Sequence, residues 1–341
     1  MILNTLIKPT KKNIVIGILS IVSLFSVLYI NSYKNNSSIN STTQTPQTTT
    51  RVNPSVSGIQ SLNQSEIIIP QTIPLPNTNL QVKIYKASSS PNLNQIATEI
   101  SRYFKLSLDT ENPGSWYNND YTQSLKANTQ FGFIQFKIDG FNNPKYYSGP
   151  NKPTSNIALE TATSFINSLP GLSDLKPEIS KLRYVRNTGE THLENGTEKN
   201  YDAIEISFFP YKDGLPVYFS NDISPIATVL IGQNYQITDV YIKSQTIIIK
   251  EPLKTIITKD INQILEEIKS KKAYVFDAGL ISQQQLSESK YPPITITELN
   301  LEYRYIPESD LIIPYVGIKG VYQFTNSQSS PIYLLLPLEK D

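Results

Sequence analysis

Residues 294–324 read ITITELNLEYRYIPESDLIIPYVGIKGVYQF. Leu299, Leu301, Tyr303 and Tyr305 alternate with Asn300, Glu302 and Arg304. A period of two describes a strand with one dry and one wet face. Ile312–Phe324 and Ile332–Leu338 continue in the same strand-like manner. Just upstream the period changes. Ile261, Ile264, Leu265 and Ile268 fall at i, i+3, i+4 and i+7, which predicts an amphipathic helix. Thr258 is the expected cap, with Asp260 in the first turn, and Lys269, Lys271 and Lys272 suit the negative C-terminal end.

The same order, one helix and then several strands, recurs farther upstream. A helix is expected after Pro153, capped by Thr154 or Ser155. Its stripe is Ala158, Ala162, Phe165, Ile166 and Leu169, and Pro170-Gly171 ends it. Strand-like runs follow at Leu182–Asn187, Asp202–Pro210, Leu215–Phe219, Ile226–Ile231 and Ile237–Lys243. Between two of them, Asp213-Gly214 is a two-residue hairpin signal. Pro210 and Pro216 beside it mark a candidate edge, because proline donates nothing to a ladder. Another helix is expected after Ser90-Pro91, with Leu93, Ile96, Ile100, Tyr103 and Phe104 on one face. Leu80–Lys86 and Gln130–Asp139 flank it as strands. The fold class expected is α+β, with single helices packed on antiparallel sheets. The spacing is too irregular for a solenoid.

The N-terminus has a different character. Ile14–Ile30, IVIGILSIVSLFSVLYI, holds 17 residues without a charge. A helix of that length nearly spans a hydrocarbon core of about 30 Å. Lys8, Lys11 and Lys12 precede it and only Lys34 closely follows, so the tail is expected inside and the rest outside. The run is longer than a cleaved signal needs, and the expectation is an uncleaved single-pass anchor in the cell membrane. Asn31–Ser65 is rich in Ser, Thr, Asn and Gln and is expected to be a disordered tether with a span of about 30–35 Å. The expected organisation is a cytoplasmic tail at 1–13, a transmembrane helix at 14–30 and a linker at 31–65. A small α+β module at 66–150 and a larger domain at 151–341 complete it.

Composition closes several classes of chemistry. The 341 residues include no cysteine and one histidine, His192. Disulfides, thiol nucleophiles and multi-histidine metal sites are thereby excluded. Residues 1–65 carry five basic and no acidic residues, leaving 25 basic and 29 acidic residues in 66–341, a net of −4. Such a body has no field for nucleic acid. Phosphate loops, zinc-protease helices and nucleophile elbows are absent from the sequence. Ser173–Lys176 and Ser287–Lys290 are S-x-x-K strings without companion motifs. Asp109/Glu111 and Glu266/Glu267 are the nearest carboxylate pairs. No catalytic, metal or cofactor residue is therefore assigned. Trp116 and Tyr117 in NPGSWYNNDY, and Tyr146 and Tyr147, are the candidate ligand-binding aromatics, since rings among Asn and Asp can stack on sugars.

The stretch ISFFPYKDGLPVYF, followed by IATVLIGQNYQITDVYIKS, resembles a PepSY-type unit, in which a helix precedes antiparallel strands with a D-G-x-P turn. The 294–324 stretch after the last helix resembles the end of YycH/YycI-type membrane-anchored regulators. The resemblance covers roughly 155–325. It implies PepSY-like modules, one N-terminal membrane helix, an extracytoplasmic body and action on a cell-wall-sensing histidine kinase. It brings no catalytic residues. The expected function is non-enzymatic: binding and modulation of an envelope protein such as a sensor kinase or wall-synthesis protein. A wall-glycan-binding module is the alternative, and a carboxylate or Ser-Lys hydrolase stands behind both.

Overall fold

The computed structural model describes residues 66–77, 81–89, 93–138, 151–187, 193–243, 247–277, 293–325 and 328–340. All belong to one unit, Pro54–Asp341. The expected membrane helix and tether, Tyr146, Tyr147, His192 and Ser287–Lys290 lie outside the described residues. No helix among the described residues is long and apolar enough to cross a membrane.

In chain order the elements are β1 (Ile67–Ile68), β2 (Lys83–Ser89), α1 (Leu93–Tyr103), β3 (Ser107–Leu108), β4 (Ser115–Tyr117), β5 (Gln123–Asn128) and β6 (Phe133–Ile138). Then come α2 (Ser155–Ser168), β7 (Leu175–Pro177), β8 (Arg183–Asn187), β9 (Leu193–Asn195), β10 (Ala203–Lys212), β11 (Leu215–Phe219), β12 (Ala227–Ile231), β13 (Ile237–Lys243) and β14 (Ile247–Thr255). The chain ends with α3 (Ile261–Lys269), β15 (Tyr274–Asp277), β16 (Ile294–Ile306), β17 (Leu311–Thr325) and β18 (Gln328–Pro337).

The helices form where the apolar period predicts them. Ala158, Ala162, Phe165 and Ile166 of α2 are buried, as are Leu93, Ile96 and Ile100 of α1. Tyr103 departs from its expected face and is exposed, its ring lying edge-on to Phe104 and Phe165. The cap of α3 is Asp260 rather than Thr258. Its carboxylate accepts from Gln263 N at 2.9 Å and the Gln263 side chain accepts from Asp260 N at 3.1 Å, a capping box. Thr258 instead bridges to Glu339.

The expected single helices on antiparallel sheets are corrected by the strand count and pairing. Among the described residues, 18 strands form one connected, mixed network and only three short helices accompany it. One part runs β3–β4–β5–β6–β13–β12–β10, with β7 and β8 on the far side of β10 and β9 on β8. Helices α1 and α2 share a core with it, through Ile100, Leu125, Phe136, Phe165 and Phe208. The other part runs β16–β17–β18–β15, with β2 joining the start of β17 to β14. Against it α3 seats Ile264 and Ile268 among Ile296, Val316, Ile318 and Leu334. Each such side chain, fully buried, contributes about 1.5–3 kcal/mol.

Two pairings are parallel and were not legible in the sequence: β1 with β16 at Ile294–Thr295, and β11 with β16 at Tyr303–Tyr305. The ladders also run across residue 150, since β6 pairs with β13 and β2 with β14 and β17. A parallel pair needs a long crossover between its strands. Here those crossovers contain strands of both sheets, so strands of distant sequence origin interleave.

On β13, Asp239 stands directly across from Lys137 on β6 and Leu230 on β12. Burial pushes its carboxyl up to about 7, against the pull of Lys137 and with a further push from Glu205. The folded state therefore holds a proton that the unfolded chain has released. The stability tied to that proton is present at low pH and is lost as pH rises from about 4 to about 7. Asp239→Asn should consequently be more stable than the parent above pH 7, by about 1–3 kcal/mol, with the gap closing near pH 4. Urea unfolding of both proteins at pH 4.5 and pH 8 checks this. A gap that widens towards acid would contradict it.

Candidate functional site

The β10–β11 hairpin ties the two sheets together. Its two-residue turn is Asp213-Gly214, with φ of +51° and +80°, as a right-twisted hairpin requires. Leu215 and Pro216 pair with β10, whereas Val217–Phe219 pair with β16. The hairpin marked by Asp213, Gly214 and Pro216 is thus no free edge. Its tip is gripped from the C-terminal sheet. Tyr85 Oη donates to Asp213 Oδ2, and Tyr303 Oη donates to the same oxygen at 3.2 Å. The two tyrosine rings meet edge-on at 5.9 Å, and the Lys212 ammonium lies 4.7 Å from the Tyr85 ring centre. Burial first, and Asp213 after it, holds the Tyr85 phenol well above its usual range.

Beyond the hairpin lies a sealed ionic centre that sequence reading placed in water. Glu302 and Arg304, on the expected wet face of β16, are each 1% exposed. Arg304 Nε donates to Glu302 Oε1 at 2.7 Å and Nη1 to the Phe219 carbonyl at 3.0 Å. Nη2 lies 2.5 Å from that same carboxylate oxygen but has no hydrogen-bond partner among the described residues. Tyr333 Oη takes the other oxygen at 2.6 Å. Three rings wall the guanidinium: Phe276 at 4.5 Å, Tyr218 at 5.1 Å and Tyr333 at 5.6 Å. Desolvation and stacking together make arginine the cation suited to such a site. Burial, with the Glu302 charge behind it, keeps the Tyr333 and Tyr218 phenols neutral, their pKa values far above the usual range.

Gly317 on β17 makes room for this centre. A Cβ there would stand 2.6 Å from Glu302 Oε2 and would also strike Tyr333 Oη. At the rim, Lys181 Nζ donates to Tyr218 Oη at 3.0 Å and lies 4.3 Å from the Phe209 ring centre. Burial lowers the Lys181 pKa, with Glu178 opposing. A sequence signal for the centre existed in retrospect: opposite charges two apart on one strand face, and a glycine in the neighbouring strand.

The other residues weighed in the sequence are dispersed. Trp116 and Tyr117 lie on β4 rather than in a loop. Trp116 is half-buried and packs on the core that α1 and α2 share. Tyr117 pairs instead with Tyr121, a residue that the sequence reading passed over, with ring centres 5.5 Å apart. Asp109 caps its own turn, accepting from Glu111 N at 2.9 Å and Asn112 Nδ2 at 2.8 Å. The Asn112 amide leads in holding its pKa below the usual value. Glu267 accepts from the buried Lys259 at 2.7 Å and pairs with Lys272 at 3.6 Å. Glu266 borders an open groove of about 280 Å³ beside α3, with Lys272 and Lys340 on its walls. Ser173 and Lys176 are both exposed. No group of three or more potential metal ligands occurs among the described residues.

No protein-family model matches the chain, and no curated protein matches it. Of the carboxylates considered as acid–base pairs, Asp109 is held as a turn cap and Glu267 as an ion-pair partner. Among the described residues, the buried Glu302–Arg304 centre is a clamp between β11, β15, β16 and β18.

Proposed function

We propose that the protein is a membrane-anchored extracytoplasmic regulator that binds an envelope protein and modulates it without chemistry of its own. The partner class implied by the YycH/YycI-type resemblance is a sensor kinase. The observation that carries the reading is the way the linker joins the body. Directly after Ser65, the Glu66 carbonyl accepts from Ile294 N at 2.8 Å, and Ile67–Ile68 adds in parallel to β16. The chain arriving from the apolar run at Ile14–Ile30 is thereby bound to the strand that also carries the ionic clamp and the hairpin contact. A pull along the 31–65 linker would be felt first by β16.

In-cell crosslinking of the full-length protein, followed by purification and mass spectrometry, tests this. A recurrent membrane protein is expected with the native helix. Its recovery should fall severalfold when residues 14–30 are replaced by an unrelated apolar helix. Recovery of wall glycan alone, or of nothing above background, would overturn the proposal. Undiminished recovery after the replacement would overturn coupling through the helix.

A further inference from the structure

The loop between β4 and β5 is cross-braced by its own hydrogen bonds, yet it holds a large ring in solvent. Asn118 Oδ1 accepts from Gln123 N at 2.9 Å, and Asn118 Nδ2 donates to Thr122 Oγ1 at 3.0 Å. Asp120 Oδ1 accepts from Thr122 N at 3.2 Å and from Thr122 Oγ1 at 2.7 Å. Tyr121 N closes the turn on the Asn118 carbonyl at 3.1 Å. Inside this frame Tyr121 has φ +57°, the left-handed region that an aromatic side chain adopts only under constraint. Its side chain gives little back to folding, being 69% exposed. Glycine or asparagine would occupy the position at lower cost. Strain maintained by its surroundings, at a residue that packs on little, is a mark of a working surface.

The chemistry narrows what that surface takes. Tyr117 and Tyr121 present two rings tilted by 46°, with ring centres 5.5 Å apart. The exposed Asn119 and Asp120 stand in the same loop, and Trp116 anchors β4 behind it. Within the β4–β5 loop, residues 118–122, the single charge is Asp120, while Lys126 and Lys137 stand on the same face of β5 and β6 beyond it, so the loop itself brings no cation to an anionic ligand. Two rings offer far less than the roughly 800 Å² per partner of a stable protein interface. A ligand with C–H faces for the rings and hydroxyls for amide and carboxylate groups fits both limits.

We propose that the Tyr117–Tyr121 face of the β4–β5 loop is a binding platform for an uncharged chain of pyranose sugars. One ring of the saccharide lies on Tyr121, and neighbouring hydroxyls bond to Asn119 and Asp120. The platform is independent of the protein partner proposed above and would let the anchored body sense or grip a wall polysaccharide.

Saturation-transfer NMR of the full-length protein in detergent, with chitotetraose and with cellotetraose at about 10 mM, tests it. Transfer to the sugar C–H protons of at least one of the two is expected. Tyr121→Gly should abolish it, and Tyr121→Phe should retain it. Because glycine relieves the backbone, the thermal midpoint of Tyr121→Gly should be equal to or above that of the parent, which separates lost binding from lost folding. No transfer to either sugar, or equal transfer with Tyr121→Gly, would overturn the platform.

Discussion

Glu302→Ala should lower the folding stability by about 3–5 kcal/mol, the cost of leaving a buried charge without its partner. Arg304, itself 1% exposed, would keep only the Phe219 carbonyl as a hydrogen-bond partner, and the partly buried Tyr333 hydroxyl would lose its acceptor. The effect belongs to breaking the pair, not to the pair's net worth. The double replacement Glu302→Leu with Arg304→Met should therefore recover most of the loss, since apolar groups of similar volume remove both desolvation costs. Denaturant unfolding of the three proteins provides the comparison. A single variant within about 1 kcal/mol of the parent would mean that the guanidinium finds water, and the clamp would be no clamp.

Gly317→Ala should cost about 2–3 kcal/mol, through overpacking against the Glu302 carboxylate and the Tyr333 hydroxyl. The sign is the informative part. Alanine in the interior of an ordinary strand is more stable than glycine by about 0.5–1 kcal/mol, so a gain in stability would show that the close approach is absent. Removing the hydroxyl should relieve the collision in part. In the Gly317→Ala background, Tyr333→Phe should then be less costly than in the parent by about 1 kcal/mol or more. Additive costs in that double-mutant cycle would place the strain elsewhere.

These two expectations could not be drawn from the sequence, and the reason is physical. Local period identifies helices well here because each buries one stripe: Ala158, Ala162 and Phe165 were readable, and so was the Asp213-Gly214 turn. Alternation in β16 was also real. What alternation cannot report is what covers the second face. Glu302 and Arg304 are sealed by Tyr333, Phe276 and Tyr218, which come from three other strands. Strand β14 was missed because IIIKEPLKT has no period of two, and it bulges around Pro252 where it pairs with β2. Antiparallel sheets are expected from the order of one helix and then several strands, and hairpin neighbours leave turn signals between them. The parallel joins of β1 and β11 to β16 leave none. At the candidate platform, Trp116 drew notice by residue type, whereas Tyr121 is distinguished only by its backbone angle and its exposure.

The interleaving of the strands also sets an order of events in time. Strand β2 gains its first partner only when β14 has been made, and β1 gains its own only with β16. Lys83 N reaches the Tyr303 hydroxyl across 220 positions of sequence. At roughly 5–20 residues per second, an interval of that size is about 10–40 s of synthesis, during which β1 has no lasting mate. Closure over such separations is also slow once the chain is complete. A polypeptide of this design stays threadable until its last three strands appear. A protease that removes those strands does not trim the body but withdraws the template of β1 and one of the two partners of β2.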